Sequence, residues 1–189
     1  MIINGIFPTP VACYDLSDSD EMNKGLSEYI LSIEADEKAE GNFQFSMVGQ
    51  TGYHTKDDLL LRDNPFVDEF VDRIRNEIAT YWSAITDGSP LPANTRLVAW
   101  AMIYRKGDYT MVHNHPEANL SITYYPKVPE GLSEPSDIND NKPKEGSLAY
   151  IDPRPAARYD GSFSAESTSG IIPKEGTGII IPGWLEHFV

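Results

Sequence analysis

The sequence predicts an α+β fold, with two amino-terminal amphipathic helices set against an antiparallel barrel or jelly roll. Three observations carry that expectation. Apolar residues recur at helical spacing twice in the first half of the chain. A period-two alternation takes over from about Leu97. The segments between the later strands are long, polar and rich in proline. At 189 residues the chain is expected to form a single domain with a sizeable core. Within it, 1–95 forms a strand-and-helix support region and 96–189 the barrel core.

In chain order, Ile2-Ile3 and Ile6 to Tyr14 form an apolar opening broken by Pro8 and Pro10. That suits extended structure at a sheet edge, because proline cannot donate to a ladder. Cys13 in this stretch is expected to fill core. Ser17-Asp-Ser-Asp20 offers side-chain oxygens for a helix start, and Met22, Leu26, Tyr29, Ile30 and Ile33 follow on one face. The second helix opens at Asn64-Pro65, a cap and a first-turn proline. It carries Phe66, Phe70, Ile74, Ile78 and Tyr81 along one side. Between the helices, Gly49 to His54 reads as a glycine-rich loop or hairpin, with His54 a loop residue.

From Leu97 to Tyr104 the alternation sets Trp100, Met102 and Tyr104 on one face and Ala99, Ala101 and Ile103 on the other. From Leu120 to Tyr125 it sets Leu120, Ile122 and Tyr124 against Ser121, Thr123 and Tyr125. The second of these faces is small and polar, so it reads as the lining of a hydrated pocket. Ser147 to Asp152 is a short strand ending at Pro153, and Gly178 to Ile181 a buried one. Pro126 to Glu145 and Arg154 to Gly170 read as surface loops long enough to serve as lids or substrate loops. Trp100 and Trp184 read as packing residues, and Asn119 as a support for a histidine nitrogen or the shaper of a turn.

Composition narrows the function. Fifteen basic against 29 acidic residues give a net charge of −14, which argues against nucleic acid or an anionic membrane as partner, since both need Lys and Arg against phosphate. A single cysteine excludes an intramolecular disulfide and a cysteine-rich zinc module. The absence of a signal-like segment or a long apolar run leads us to expect a soluble, cytoplasmic protein.

The chemistry concentrates in two segments that hold three of the four histidines. His113 and His115 stand two apart, so on an extended strand both rings project from one face. His187 follows the apolar run 178–181. A pair at this spacing plus one distant histidine is how a β-barrel builds a facial three-ligand metal site. Imidazole suits Fe, Zn, Cu and Ni, and such a site leaves coordination positions open. Taken alone, a His-x-His pair fits two surface residues equally well.

Tyr104-x-x-Gly107, five residues, His113-x-His115 resembles the first motif of the prolyl-hydroxylase-like branch of the Fe(II)/2-oxoglutarate-dependent dioxygenases, which reads Tyr-x-x-Gly, five residues, His-x-Asp. Ile122-Thr-Tyr124-Tyr125 is similar to the family's Tyr-Tyr strand, and Gly146-Ser-Leu148 to Pro153 to its Gly-x-Leu strand. Pro173-Lys-Glu-Gly176 to His187 is similar to the strand that carries the distal histidine. Phe7-Pro-Thr-Pro, Gly52-Tyr53 and the His-x-His-Pro116 variant are most similar to a subgroup of 2-oxoglutarate oxygenases without an assigned substrate. The resemblance implies a double-stranded β-helix (jelly-roll, cupin-like) core, with Fe(II) held by His113, His115 and His187. It implies 2-oxoglutarate as co-substrate, oriented by Tyr104 and Tyr125 beside Ser121 and Thr123. O2 and an unknown substrate are its other partners, and hydroxylation would release succinate and CO2.

Two departures from the family pattern matter. His115 stands where the family has a carboxylate; three neutral imidazoles leave the metal its full charge, which favours capture of a dianion. Glu117 or Asp152 is the alternative source of a carboxylate. The family's next strand carries the Arg or Lys that pairs the distal carboxylate of 2-oxoglutarate, and it would lie beyond Val189. The expectation is therefore of a fragment; the alternative is that another cation does the work, with Arg105, Arg154 and Arg158 as candidates. Two other readings stay open: a cupin-type three-His metalloenzyme that does not use 2-oxoglutarate, and a non-catalytic jelly-roll binding module.

Overall fold

Helix α1 (Asp20–Ala39) begins where the cap signal predicts. Ser19 takes the cap position, but its hydroxyl bonds the Asp18 carboxylate rather than the helix backbone. Asp20 and Glu21 in the first turn sit well with the positive end of the helix dipole. Helix α2 (Pro65–Ile85) is capped through its side chain: Asn64 Oδ1 accepts from the Phe66 and Val67 N–H groups at 3.0 and 3.3 Å. The apolar stripes bury Met22, Leu26 and Ile33 from α1 and Ile74, Ile78 and Tyr81 from α2. A side chain at Gly25 would collide with the Phe66 ring, so glycine lets the two helices approach closely.

The computed structural model describes residues 8–40, 49–130, 132, 146–154 and 168–189. The expected extended opening over 1–7, most of the two long loops, and Arg158 lie outside the described residues. Strands among the described residues are β1 (Ala12–Asp15), β2 (Tyr53–His54), β3 (Met102–Ile103), β4 (Leu120–Tyr125), β5 (Leu148–Ile151), β6 (Thr168–Ile171), β7 (Thr177–Pro182) and β8 (His187–Phe188). They form two three-stranded antiparallel sheets, β1-β7-β4 and β6-β5-β8, and the small pair β2-β3. The fold is α+β, with two helices and antiparallel sheets, as the sequence predicts.

Strand alternation divides the core in two. Tyr14 and Ile180 face the helices, joined by the partly buried Leu120, Ile122 and Tyr124. Tyr124 lies between the rings of Tyr14 and Phe70, with centroids at 6.0 and 5.0 Å. On the other face of the same sheet, Ile179 and Ile181 join Leu148 and Leu185 in a second cluster, against which Tyr125, Tyr150, Ile171 and Val189 pack. Register places Ser121 opposite Ile181, Thr123 opposite Ile179 and Tyr125 opposite Thr177. Their side chains therefore share that inner face.

Three expectations are corrected. Only Met102 and Ile103 of the 97–104 stretch form a strand. The rest is tied to a loop: Ala101 exchanges bonds with Thr55, and the Ala99 carbonyl accepts from Leu59 N–H. Cys13 is exposed; Tyr14 takes the helix-facing side of β1, which leaves Cys13 on the opposite face of an edge strand. Arg105 is not available as a co-substrate cation. Its guanidinium forks onto Glu34 of α1 at 2.7 and 2.9 Å, and Lys38 reaches the same carboxylate at 2.8 Å.

That pair predicts an acid-sensitive fold. The Arg105 bonds, opposed in part by burial, hold the Glu34 carboxyl below the ordinary carboxylate value of 4.5. Its stabilisation is complete above that value and is lost as pH falls through the lower, folded-state value. Glu34→Gln should flatten the acid side of a stability–pH curve while changing neutral stability by about 1–3 kcal/mol, a range set by the half-exposed Arg105. Urea midpoints between pH 3 and 7 would check this; parallel curves for the two proteins would refute it.

Candidate metal centre

The site begins with a mismatch in pairing. His113 and His187 exchange both backbone hydrogen bonds, at 3.0 and 2.9 Å, and Thr110 and Val189 exchange both at 3.1 Å. Three steps along one strand thus match two along the other, leaving Met111 and Val112 opposite Phe188. This is a β-bulge. In an even strand Thr110 and His113 would point to opposite faces. The extra residue turns both inward and leaves Met111 and Val112 exposed. The bulge also presents the Met111 carbonyl to His113 Nδ1 at 2.9 Å.

The expected continuous strand through His113 and His115 is therefore absent; His113 forms an isolated bridge. His115 is held instead by the turn after β7. Its N–H donates to the Gly183 carbonyl at 2.8 Å, and Gly183 N–H donates to the Asn119 carbonyl at 3.0 Å. Asn119 thus shapes this turn through its backbone.

These constraints gather three imidazoles. Ring centroids lie 4.3 Å apart for His113 and His187, 5.1 Å for His113 and His115, and 5.2 Å for His115 and His187. One ring nitrogen from each lies within 4.8 Å of the others. His187 is 4% exposed, and its Nδ1 lies 2.8 Å from the Leu185 carbonyl. A carbonyl only accepts, so Nδ1 of His187 and of His113 must carry the proton and Nε2 the lone pair. Burial drives the His187 pKa down to about 4, and the other two imidazoles add to the effect against the Leu185 bond. Burial, then His113, also lowers His115. Neutral imidazoles with converging lone pairs fit a divalent cation, and Fe(II) accepts nitrogen donors of this kind.

No carboxylate joins this cluster among the described residues. Glu117 is exposed, and Asp152 binds the guanidinium of Arg154, which also occupies the second candidate cation.

Residues 98–189 match the family model described as "Putative 2OG-Fe(II) oxygenase". That match covers just under half of the chain, and it is a likeness of this segment to the 2OG-Fe(II) oxygenases. Among solved structures, the chain is similar to a prolyl-4-hydroxylase of Pseudomonas putida. That likeness has a TM-score of 0.59 at 14% identity and covers 96% of this chain and 84% of that one; at such identity it is a likeness of fold. No curated protein sequence matches the chain. That family implies Fe(II) as cofactor and 2-oxoglutarate as co-substrate. No helix among the described residues is long and apolar enough to cross a membrane.

Around the histidines, the aromatic residues are arranged in ways only partly foreseen. Trp100 packs on two histidines: its ring tilts against His115 at 5.8 Å and stacks on His54 at 5.6 Å and 16°. His54 belongs to β2 rather than a loop. The alternation that sets Trp100 with Met102 and Tyr104 was the signal for this wall. Trp184, also expected to pack, is 51% exposed. The Tyr104 hydroxyl shares a hydrogen bond with Thr110 Oγ1. The Tyr125 hydroxyl is buried with no partner among the described residues; burial, then the nearby Tyr104, pushes its pKa far up and keeps it protonated. Sequence reasoning missed Gln50, whose side-chain nitrogen is buried in the same condition.

Proposed function

We propose that this chain is a non-haem Fe(II)- and 2-oxoglutarate-dependent oxygenase that hydroxylates a substrate with O2 and releases succinate and CO2. We read 1–189 as one domain, with a double-stranded β-helix core over 96–189 and the amino-terminal strand and helices as its support. The observation that carries the proposal is the cluster of three converging imidazoles within a segment of oxygenase sequence.

In this reading His113, His115 and His187 hold the metal through the nitrogens that carry lone pairs. The Met111 and Leu185 carbonyls fix two of the rings in the ligating tautomer. Burial keeps His187 neutral, so protons compete weakly for it. Tyr104 and Tyr125 offer hydroxyls to co-substrate oxygens, and Ser121 and Thr123 share the inner face with Tyr125. Leu148, Ile179, Ile181 and Leu185 form the dry floor that limits water. Bound Fe(II) and 2-oxoglutarate supply the oxidising chemistry, coupling O2 activation to decarboxylation.

An anaerobic Fe(II) titration followed by 2-oxoglutarate tests the proposal. A weak visible charge-transfer band is expected that requires both components and is lost in His113→Ala. Iron binding without the band would favour the second reading, a three-His cupin-type metalloenzyme. The all-imidazole cluster and the engagement of Arg105 and Arg154 with acids are the observations on its side. Unchanged stability on adding Fe(II), Co(II) or Zn(II) would favour a non-catalytic module.

Trp100 yields a further prediction. It backs His115, so Trp100→Ala should weaken Co(II) binding about tenfold while Trp100→Phe retains most of it. Calorimetric titration checks this, and equal affinities for all three proteins would exclude a positioning role.

A further inference from the structure

Two of the three clustered imidazoles are held by a hydrogen bond to the ring. His113 Nδ1 donates to the Met111 carbonyl at 2.9 Å, and His187 Nδ1 to the Leu185 carbonyl at 2.8 Å. The His115 ring has no such bond among the described residues. What it meets is the Trp100 ring, with centroids 5.8 Å apart and planes inclined at 49°. The same indole is stacked by His54, the fourth histidine of the chain.

Strand pairing brings His54 there from the amino-terminal half. It stands opposite Met102 in the β2-β3 pair, and residues directly opposite in an antiparallel pair project to the same face. Thr55 then clamps Ala101: its N–H donates to the Ala101 carbonyl at 3.0 Å, and its hydroxyl accepts from Ala101 N–H at 2.9 Å. The clamp carries the register on to Trp100, which falls diagonal to His54 and within reach of an aromatic ring. Alternation sends Tyr53 the other way. It is buried there, and its hydroxyl donates to Glu37 of α1 at 2.7 Å. With Tyr53 anchored on the helix, His54 is committed to the Trp100 face. Its Nδ1 bonds the Thr55 carbonyl, which fixes the rotation of the ring as it lies on the indole.

These contacts run in one line, from His54 to Trp100 to His115. His54 is not itself a ligand, because it lies outside the group whose nitrogens converge. Resting on the three-imidazole metal site of the reading above, we propose that His54 is a positioning residue of that centre. Acting through Trp100, it holds the His115 ring in the ligating orientation, the task that a backbone carbonyl performs for His113 and His187. The residue lies outside 98–189, the segment similar to the 2OG-Fe(II) oxygenases. Helix α1 and β2 therefore help to shape the metal site, through Tyr53 and His54, as well as supporting the sheets.

The test is Co(II) binding to the full chain, read by calorimetry and by the visible ligand-field bands of the bound ion, with thermal unfolding of the metal-free protein alongside. His54→Ala should weaken Co(II) binding about fivefold and shift the bands; loss of a direct support to a ligand costs roughly ten- to a hundredfold. His54→Phe, which keeps a flat ring on the indole, should restore the wild-type affinity and bands. His54→Ala combined with Trp100→Ala should bind no more weakly than Trp100→Ala alone, because the one acts only through the other. Losses that multiply in the double variant overturn the proposal, as do wild-type affinity and bands in His54→Ala. A fall in metal-free stability with the bands unmoved makes His54 a packing residue and also overturns it. A wild-type protein that binds no Co(II) removes the metal centre itself, and the positioning role falls with it.

Discussion

Replacing His187 with alanine is expected to lower divalent-metal affinity by at least about a hundredfold, since changes to groups that merely support a ligand already cost ten- to a hundredfold. His187 is the most constrained of the three imidazoles. Its backbone is paired on both sides, with His113 and with Tyr150 of β5, and the Leu185 carbonyl holds its ring. No other ligating side chain among the described residues stands with the cluster to replace it. Alanine leaves two imidazoles and an opening that water can fill. The measurement is Co(II) calorimetry alongside thermal unfolding with and without metal. The wild type should gain stability with metal concentration, and the variant should not. Equal affinities would remove His187 from the metal centre and, with it, the proposed function.

The second large effect is expected at a residue with no side chain. Gly183→Ala should destabilise the protein by about 2–4 kcal/mol, in the tail reserved for substitutions that cannot be accommodated, and should weaken metal binding with it. The cause is space, because Gly183 is not among the positive-φ glycines. A Cβ there would run into the Ala118 carbonyl oxygen and come within 2.9 Å of the His115 carbonyl oxygen. Both obstacles are backbone and cannot rotate away. They belong to the turn that Gly183 grips through its bonds with His115 and Asn119. Displacing that turn moves His115, the one histidine of the cluster that is anchored by this loop. A urea midpoint shift at constant m-value would report the stability term. A variant with wild-type stability and wild-type Co(II) affinity would show that the turn relaxes without consequence.

The parts of this molecule legible in sequence are those with local causes. Asn64-Pro65 caps its own helix, so two adjacent residues suffice to place the start of α2. The alternation of β4 divides its side chains correctly because both faces have a use, one against the helices and one toward the interior. Cys13 shows where that logic fails: small apolar residues suit either face, and the choice fell to the larger Tyr14 beside it. The bulge at Met111 and Val112 is invisible in sequence because it is defined by a count of partners on a strand remote in the chain. Arg105 follows the same pattern. Beside Tyr104 it looked poised for an anion, but its anion is Glu34, far away in sequence and buried. His54 and Trp100 were separated in reading because nothing local links a glycine-rich segment to the strand it pairs with.

The order β1-β7-β4 places one of the earliest strands against one of the latest, and His113 closes on His187. During synthesis the two helices can form early, whereas β7 joins β1 and β4 only after almost every described residue has been made. Contacts this distant along the chain slow folding. No amino-terminal portion that stops short of residue 187 can bring the three imidazoles together. A growing chain on the ribosome therefore lacks the complete triad until His187 has emerged and closed on His113.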